Sequence, residues 1–130
     1  MDICRRLRGT ELESRIRQRT GLIVDPYFSG TKLLWLCEND PELAAAIRAA
    51  KAWFGTVDTW LLYKLTGRHA TDPSNASRTL LYNILEHRWD EDLLKPLDVP
   101  AEVLPEVLPT SGVVGETNVL GGAIPVSGMC

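Results

Sequence analysis

Between Trp35 and Lys51 a helical pattern is interrupted at Asp40-Pro41, and this break constrains the fold more than any other feature of the chain. Asp40 can cap a new helix, Pro41 suits its first position, and Glu42 in the first turn complements the helix dipole. Leu43 and Ile47, four apart, then point inward. The same punctuation recurs on either side. Leu12 and Ile16 predict a helix over Glu11–Arg19, stopped by Gly21. "GLIVDP" reads as a short extended piece ended by the Asp25-Pro26 turn. Ser29 or Thr31 can cap the next helix, with Leu33, Leu34, Leu36 and Cys37 inward. Thr56 can cap "VDTWLLYKLTG", whose apolar side would hold Val57, Trp60, Leu61 and Leu65. Lys64 lies in its last turn and Gly67 follows as the stop.

Extended segments are fewer and shorter. "AWFGT" is strand-like, "RHATDPSNASR" reads as a polar loop, and "TLLYNIL" suits a strand. Asp90 can cap a short helix, "EDLLKPLD". Pro96, Pro100, Pro105 and Pro109 then hold the chain in turns. "SGVVGETNVLGGAIPVSG" supplies two β segments around Gly121-Gly122. Helices alternating with short strands predict an α/β fold, helix-rich, with too few strands for a complete sheet. "IPVSGMC" reads as a buried strand with no closing helix, so the chain is expected to be part of a domain.

Composition excludes several classes. With 130 residues, 45% hydrophobic and 24% charged, the chain suits one small soluble domain. A net charge of -3 gives no basic footprint, so no nucleic-acid partner is expected. No apolar run suits a membrane span, and the charged N-terminus is no signal peptide, which predicts a cytoplasmic location. Cys4, Cys37 and Cys130 are odd in number and far apart, as free thiols would be, and form no metal-ligand pattern.

No phosphate-binding loop or hydrolase motif is present. His69 and His87 stand alone near loops, as solvated residues do. Asp58 sits at a helix start, where a carboxylate favours the dipole. Ser77, Arg78 and Thr79 suit either an anion at a helix start or ordinary turn chemistry. Tyr27 and Phe28 lie on a loop before a helix. Either they fold back as a cap or they face a ligand.

Four separated stretches, running from about Leu12 to Met129, carry a resemblance. "YFSGTKLLWLCEN" resembles the first signature of the FGGY carbohydrate kinases, with Ser29, Lys32, Trp35 and Glu38-Asn39 in its pattern positions. "TGLIVDPYFSGTK", "FGTVDTWLLYKLTG" and "TDPSNASRTLLYNI" are similar, in order and spacing, to the branch whose substrate is glycerol. The resemblance implies part of the first of two lobes, actin-like and ribonuclease-H-like, in an enzyme that moves the γ-phosphoryl of ATP, with Mg²⁺, to a hydroxyl. It implies that Tyr27 contacts glycerol. It also implies that the phosphate-binding hairpin, an Arg-Glu pair and a Trp would precede Met1. The general-base Asp of a Gly-Asp-Gln run would follow Cys130, and the adenine-binding lobe would lie elsewhere. The chain alone is therefore expected to be inactive, and to self-associate through uncovered core surface. The short, Arg-free loop at "NVLGGAIPVSG" is unlike the one that binds a sugar bisphosphate regulator in many bacterial members, so such regulation is not expected. The alternatives are a non-catalytic interaction module and a piece of another sugar or polyol kinase.

Overall fold

A computed structural model describes residues 2–129 of the chain. Its helices begin where local hydrogen-bond partners exist. Helix α1, Asp2–Leu7, was not anticipated from the sequence; it buries Ile3 and Cys4. Helix α2, Glu11–Thr20, has Thr10 as its cap and ends on Gly21 at φ 70°. The Thr10 hydroxyl accepts from the Glu13 N–H at 3.3 Å, and the Glu13 carboxylate accepts from the Gly9 N–H at 2.6 Å. Helix α3 spans Ser29–Asn39 and α4 spans Pro41–Arg48, with the Asp40 carboxylate accepting from the Leu43 N–H at 2.9 Å. The break at Asp40-Pro41 is thus a true helix start.

Helix α5, Val57–Thr66, forms as expected but turns the opposite side inward. Val57, Trp60, Leu61 and Leu65 are exposed, Val57 by 75%, while Thr59 and Leu62 are buried. The reason lies in how closely β5 (Ser111–Thr117) passes. A Cβ on Gly115 would stand 2.9 Å from Thr66 Cβ, so helix and strand approach closely there. Leu62 beside it packs with Ala70, Val114 and Met129, which fixes the side of α5 that turns inward.

Three two-stranded ladders occur among the described residues. Strand β1, Ala70–Thr71, pairs in parallel with β4, Glu106–Val107. Strand β2, Tyr82–Asn83, pairs antiparallel with β3, Arg88–Trp89. Strand β5 pairs antiparallel with β6, Ile124–Gly128, through a turn in which Gly121 has φ 88°. The fold is therefore α/β and helix-rich with short strands. Some extended readings fail. "GLIVDP" and "AWFGT" join no ladder, "TLLYNIL" yields only β2, and the 68–78 loop contains β1 and the turn of helix α6, Pro73–Ala76. Strand β6 is mostly exposed rather than buried. Helix α7, Glu91–Leu94, is capped by Asp90, whose carboxylate accepts from the Asp92 N–H at 2.9 Å.

Burial is divided among three clusters. Leu33, Ile47, Leu81, Val103 and Leu104 join α3 and α4 to the proline-rich segment. Cys4, Ile16, Val24, Phe28, Leu80 and Leu93 join α1 and α2 to the loop before α3. Leu62, Ala70, Val114 and Met129 lie under α5. Leu36 is exposed, so α3 buries a narrower stripe than its leucines suggest.

Candidate functional site

The turn at Asp25–Phe28 separates its two aromatic rings. The Asp25 carboxylate accepts from the Tyr27 N–H at 2.8 Å, and the Asp25 carbonyl accepts from the Phe28 N–H at 3.2 Å. Phe28 is buried among Cys4, Ile16 and Leu80, whereas Tyr27 is 68% exposed. The rings meet edge to face, with centroids 5.2 Å apart. The pair divides its work: Phe28 anchors the loop and Tyr27 presents a ring to solvent.

The backbone below Tyr27 is held from several directions. The Lys32 ammonium donates to the Tyr27 carbonyl at 3.0 Å, and the Thr31 hydroxyl donates to the Phe28 carbonyl at 2.9 Å. Phe28, not Ser29 or Thr31, occupies the cap position of α3, and its side chain supplies no capping bond. Gly30 donates to the Thr79 carbonyl at 2.7 Å. A Cβ on Gly30 would stand 2.7 Å from that same oxygen, so only glycine lets α3 dock this tightly against the segment after α6.

That neighbouring segment does not open an anion site at a helix start. Ser77 and Thr79 follow α6, and their hydroxyls donate to the carbonyls of Ser74 at 2.8 Å and Ala76 at 2.6 Å. Arg78 between them is exposed, with its guanidinium carbon 4.9 Å from the Phe28 ring centre and 6.0 Å from that of Tyr27.

The remaining polar candidates are structural. Asp58, in the first turn of α5, accepts from the Thr56 hydroxyl and from the Thr71 hydroxyl at 2.6 Å, tying the helix to β1. His87 is exposed, but His69 is half-buried. Its Nε2 lies 2.8 Å from the Phe54 carbonyl and its ring stacks on Trp53 at 4.8 Å, so it is not the solvated residue its isolation in sequence suggests. Cys4 and Cys37 are free thiols, with burial pushing the Cys37 thiol up; Cys130 lies outside the described residues.

Sequence reasoning overlooked Asp72. Its fully buried carboxylate accepts from the Thr110 hydroxyl at 2.6 Å, the Ser74 hydroxyl at 2.8 Å, and the backbone and side-chain N–H groups of Asn75, both at 2.9 Å. Burial pushes its pKa up, but the bonds from Thr110, Asn75 and Ser74 together outweigh it and hold the group at about 2. The signal was available, since "TDPSNAS" repeats the Asp-Pro helix start seen at Asp40. Asp72 braces α6 and the approach to β5 and has no lone pair to spare for chemistry.

Among the described residues no cluster of three or more His, Cys, Asp or Glu is placed to hold a metal ion, and no helix is long and apolar enough to cross a membrane.

Comparison with known proteins gives consistent results. Residues 1–128 match the family described as the FGGY family of carbohydrate kinases, N-terminal domain. A glycerol kinase of Shewanella oneidensis is 51% identical over 132 residues, covering 98% of this chain and 27% of that protein. A crystal structure of Plasmodium falciparum glycerol kinase with ADP superposes with a TM-score of 0.91 at 32% identity, covering 98% of this chain and 26% of that one. A gluconate kinase from Lactobacillus acidophilus superposes with a TM-score of 0.80 at 25% identity, over 91% of this chain and 23% of that one. The chain therefore spans about a quarter of the length of the relatives it matches.

Proposed function

Because this chain belongs to the FGGY family of carbohydrate kinases, we propose that it forms a polyol-facing part of an enzyme that transfers the ATP γ-phosphoryl, with Mg²⁺, to glycerol. In this reading Tyr27 lines the substrate site. The observation that carries it is the contrast between a solvent-facing ring and the fixed backbone beneath it. A phenol held this way lays its ring on a carbon skeleton and exchanges a hydrogen bond with a substrate hydroxyl. The 51% identity to a protein named glycerol kinase supports glycerol over gluconate, whose kinase is matched at 25%. This reading takes ATP, Mg²⁺ and the general base as supplied elsewhere in the longer protein and assigns them to no residue of this chain. The same reading takes the donor-binding hairpin and the adenine-binding lobe as lying on other stretches of the longer relatives. It predicts no turnover by the 130-residue chain alone, and it keeps the cytoplasmic location. Self-association through the open side of α5 belongs to it as well.

The test places residues 1–130 into the Shewanella oneidensis glycerol kinase in place of its matching segment. One hydrogen bond of about 0.5–1.5 kcal/mol plus ring contact makes Tyr27→Ala raise the glycerol KM about ten-fold or more. Tyr27→Phe costs less because the ring remains. Thermal stability barely moves in either variant. A destabilised Tyr27→Ala enzyme with a normal KM would remove Tyr27 from the site.

A further inference from the structure

Arg78 stands out as the cation nearest the candidate site with no assigned work. No carboxylate of the described residues lies within ion-pair distance of it, whereas Arg19 reaches Asp90 at 3.2 Å and Asp92 at 3.1 Å. Instead its guanidinium carbon lies 4.9 Å from the Phe28 ring centre and 6.0 Å from the Tyr27 ring centre, at the seam where these rings meet at 87°. Phe28 is fixed by burial, and the Tyr27 backbone is fixed by Asp25 and Lys32. The side-chain torsions of Tyr27 are fixed by neither. Its hydrogen bonds to other described residues come from its backbone alone, and its ring is exposed.

We propose that Arg78 is a positioning residue: its planar guanidinium fills the seam between Phe28 and Tyr27 and holds the Tyr27 ring in the orientation that receives the polyol. This rests on Tyr27 lining that site. The physical case is geometric. A guanidinium presents a flat, weakly hydrated face that can rest on one ring and abut a second, which a compact, strongly hydrated ammonium does not do as well. The backbone on both sides of Arg78 is fixed, with Ser77 donating to Ser74, and Thr79 both accepting from Gly30 and donating to Ala76. The Gly30–Thr79 contact at 2.7 Å therefore sets the distance between the arginine's backbone and the aromatic pair. Arg78 and Tyr27 stand on opposite sides of one rigid junction, 51 positions apart in sequence by the difference of their numbers.

The experiment compares Arg78→Ala, Arg78→Lys and Tyr27→Ala in the same hybrid glycerol kinase. An exposed cation–π contact is of a size that makes Arg78→Ala raise the glycerol KM about two- to five-fold, with the effect on KM rather than kcat. Tm shifts by about 2 °C or less. Arg78→Lys does not restore KM, because charge without a flat face leaves the seam open. In the 130-residue chain, proton NMR shows contacts between the Arg78 side chain and both rings, and the Tyr27–Phe28 ring contact weakens in Arg78→Ala. Full rescue by lysine overturns the proposal in favour of a simple charge effect. An unchanged KM in Arg78→Ala beside a raised KM in Tyr27→Ala also overturns it and leaves the substrate role of Tyr27 standing. If Tyr27→Ala itself leaves KM unchanged, the substrate reading fails and the positioning role falls with it. Should Arg78→Ala not fold, Arg78→Lys, which keeps the aliphatic stem, decides between the same outcomes.

Discussion

The Tyr27 loop and helix α5 both show aromatic residues to solvent, and they do so for opposite reasons. At the loop a single ring is exposed while its neighbour Phe28 is buried, and the backbone of the pair is tied to Asp25, Thr31 and Lys32. On α5 an entire side is exposed, with Val57, Trp60 and Leu61 each more than half open. The first pattern is a residue singled out by its surroundings. The second is a surface left outside because α5 packs on β5 through Leu62 and Thr66 instead. Exposure alone does not mark a ligand site; the role proposed for Tyr27 rests on exposure over a fixed backbone.

The largest effect should separate the two rings of the loop. Phe28→Ala removes a buried aromatic and costs about 3–5 kcal/mol of stability, read by urea denaturation, whereas Tyr27→Ala leaves the midpoint nearly unchanged. Equal losses would erase the distinction between anchor and presented ring. A middle-sized effect concerns Asp72, which stands between the regions through α6 and Thr110. Its pKa is lowered from an ordinary 3.8 to about 2, so its stabilisation is complete above about pH 4 and is lost as pH falls toward 2. The shift corresponds to about 2 kcal/mol. The stability difference between the parent and Asp72→Asn should therefore shrink by that amount between pH 5 and pH 2, and a pH-independent difference would show that the carboxylate's charge is not what matters. The smallest effect lies on α5. Trp60→Gln and Leu61→Gln should each change stability by about 0.5 kcal/mol or less. Together they should reduce self-association measured by sedimentation, since they remove exposed apolar surface. A loss of several kcal/mol in either would restore the face that periodicity first suggested.

What the sequence disclosed follows the range of the forces involved. Helix α2 was legible from the Leu12–Ile16 spacing and the Gly21 stop, and α4 and α7 from caps that act within three residues, Asp40 and Asp90. Ladders β1–β4 and β2–β3 were not, because two-residue strands carry no alternation to read. The buried side of α5 depended on Gly115, far along the chain, and periodicity within the helix could not reveal it. The burial of His69 likewise depends on Trp53 and Phe54. At the site, the family pattern pointed to Tyr27, but which of Tyr27 and Phe28 would turn inward was decided by Ile16, Leu80 and the other residues that close around Phe28.

Under the substrate role proposed for Tyr27, the pinned loop also sets what kind of ligand it can serve. A triol as small as glycerol, at a ceiling of about 1.5 kcal/mol per non-hydrogen atom, gathers at most about 9 kcal/mol from any site. Ordering the backbone of a floppy four-residue loop at the moment of capture would cost about 1–2 kcal/mol per residue and consume most of that. Here the ordering is done when the chain folds, through the bonds from Tyr27, Phe28, Gly30 and Lys32. A minimal ligand then meets a surface already in its receptive shape, and capture need not wait for the loop to organise.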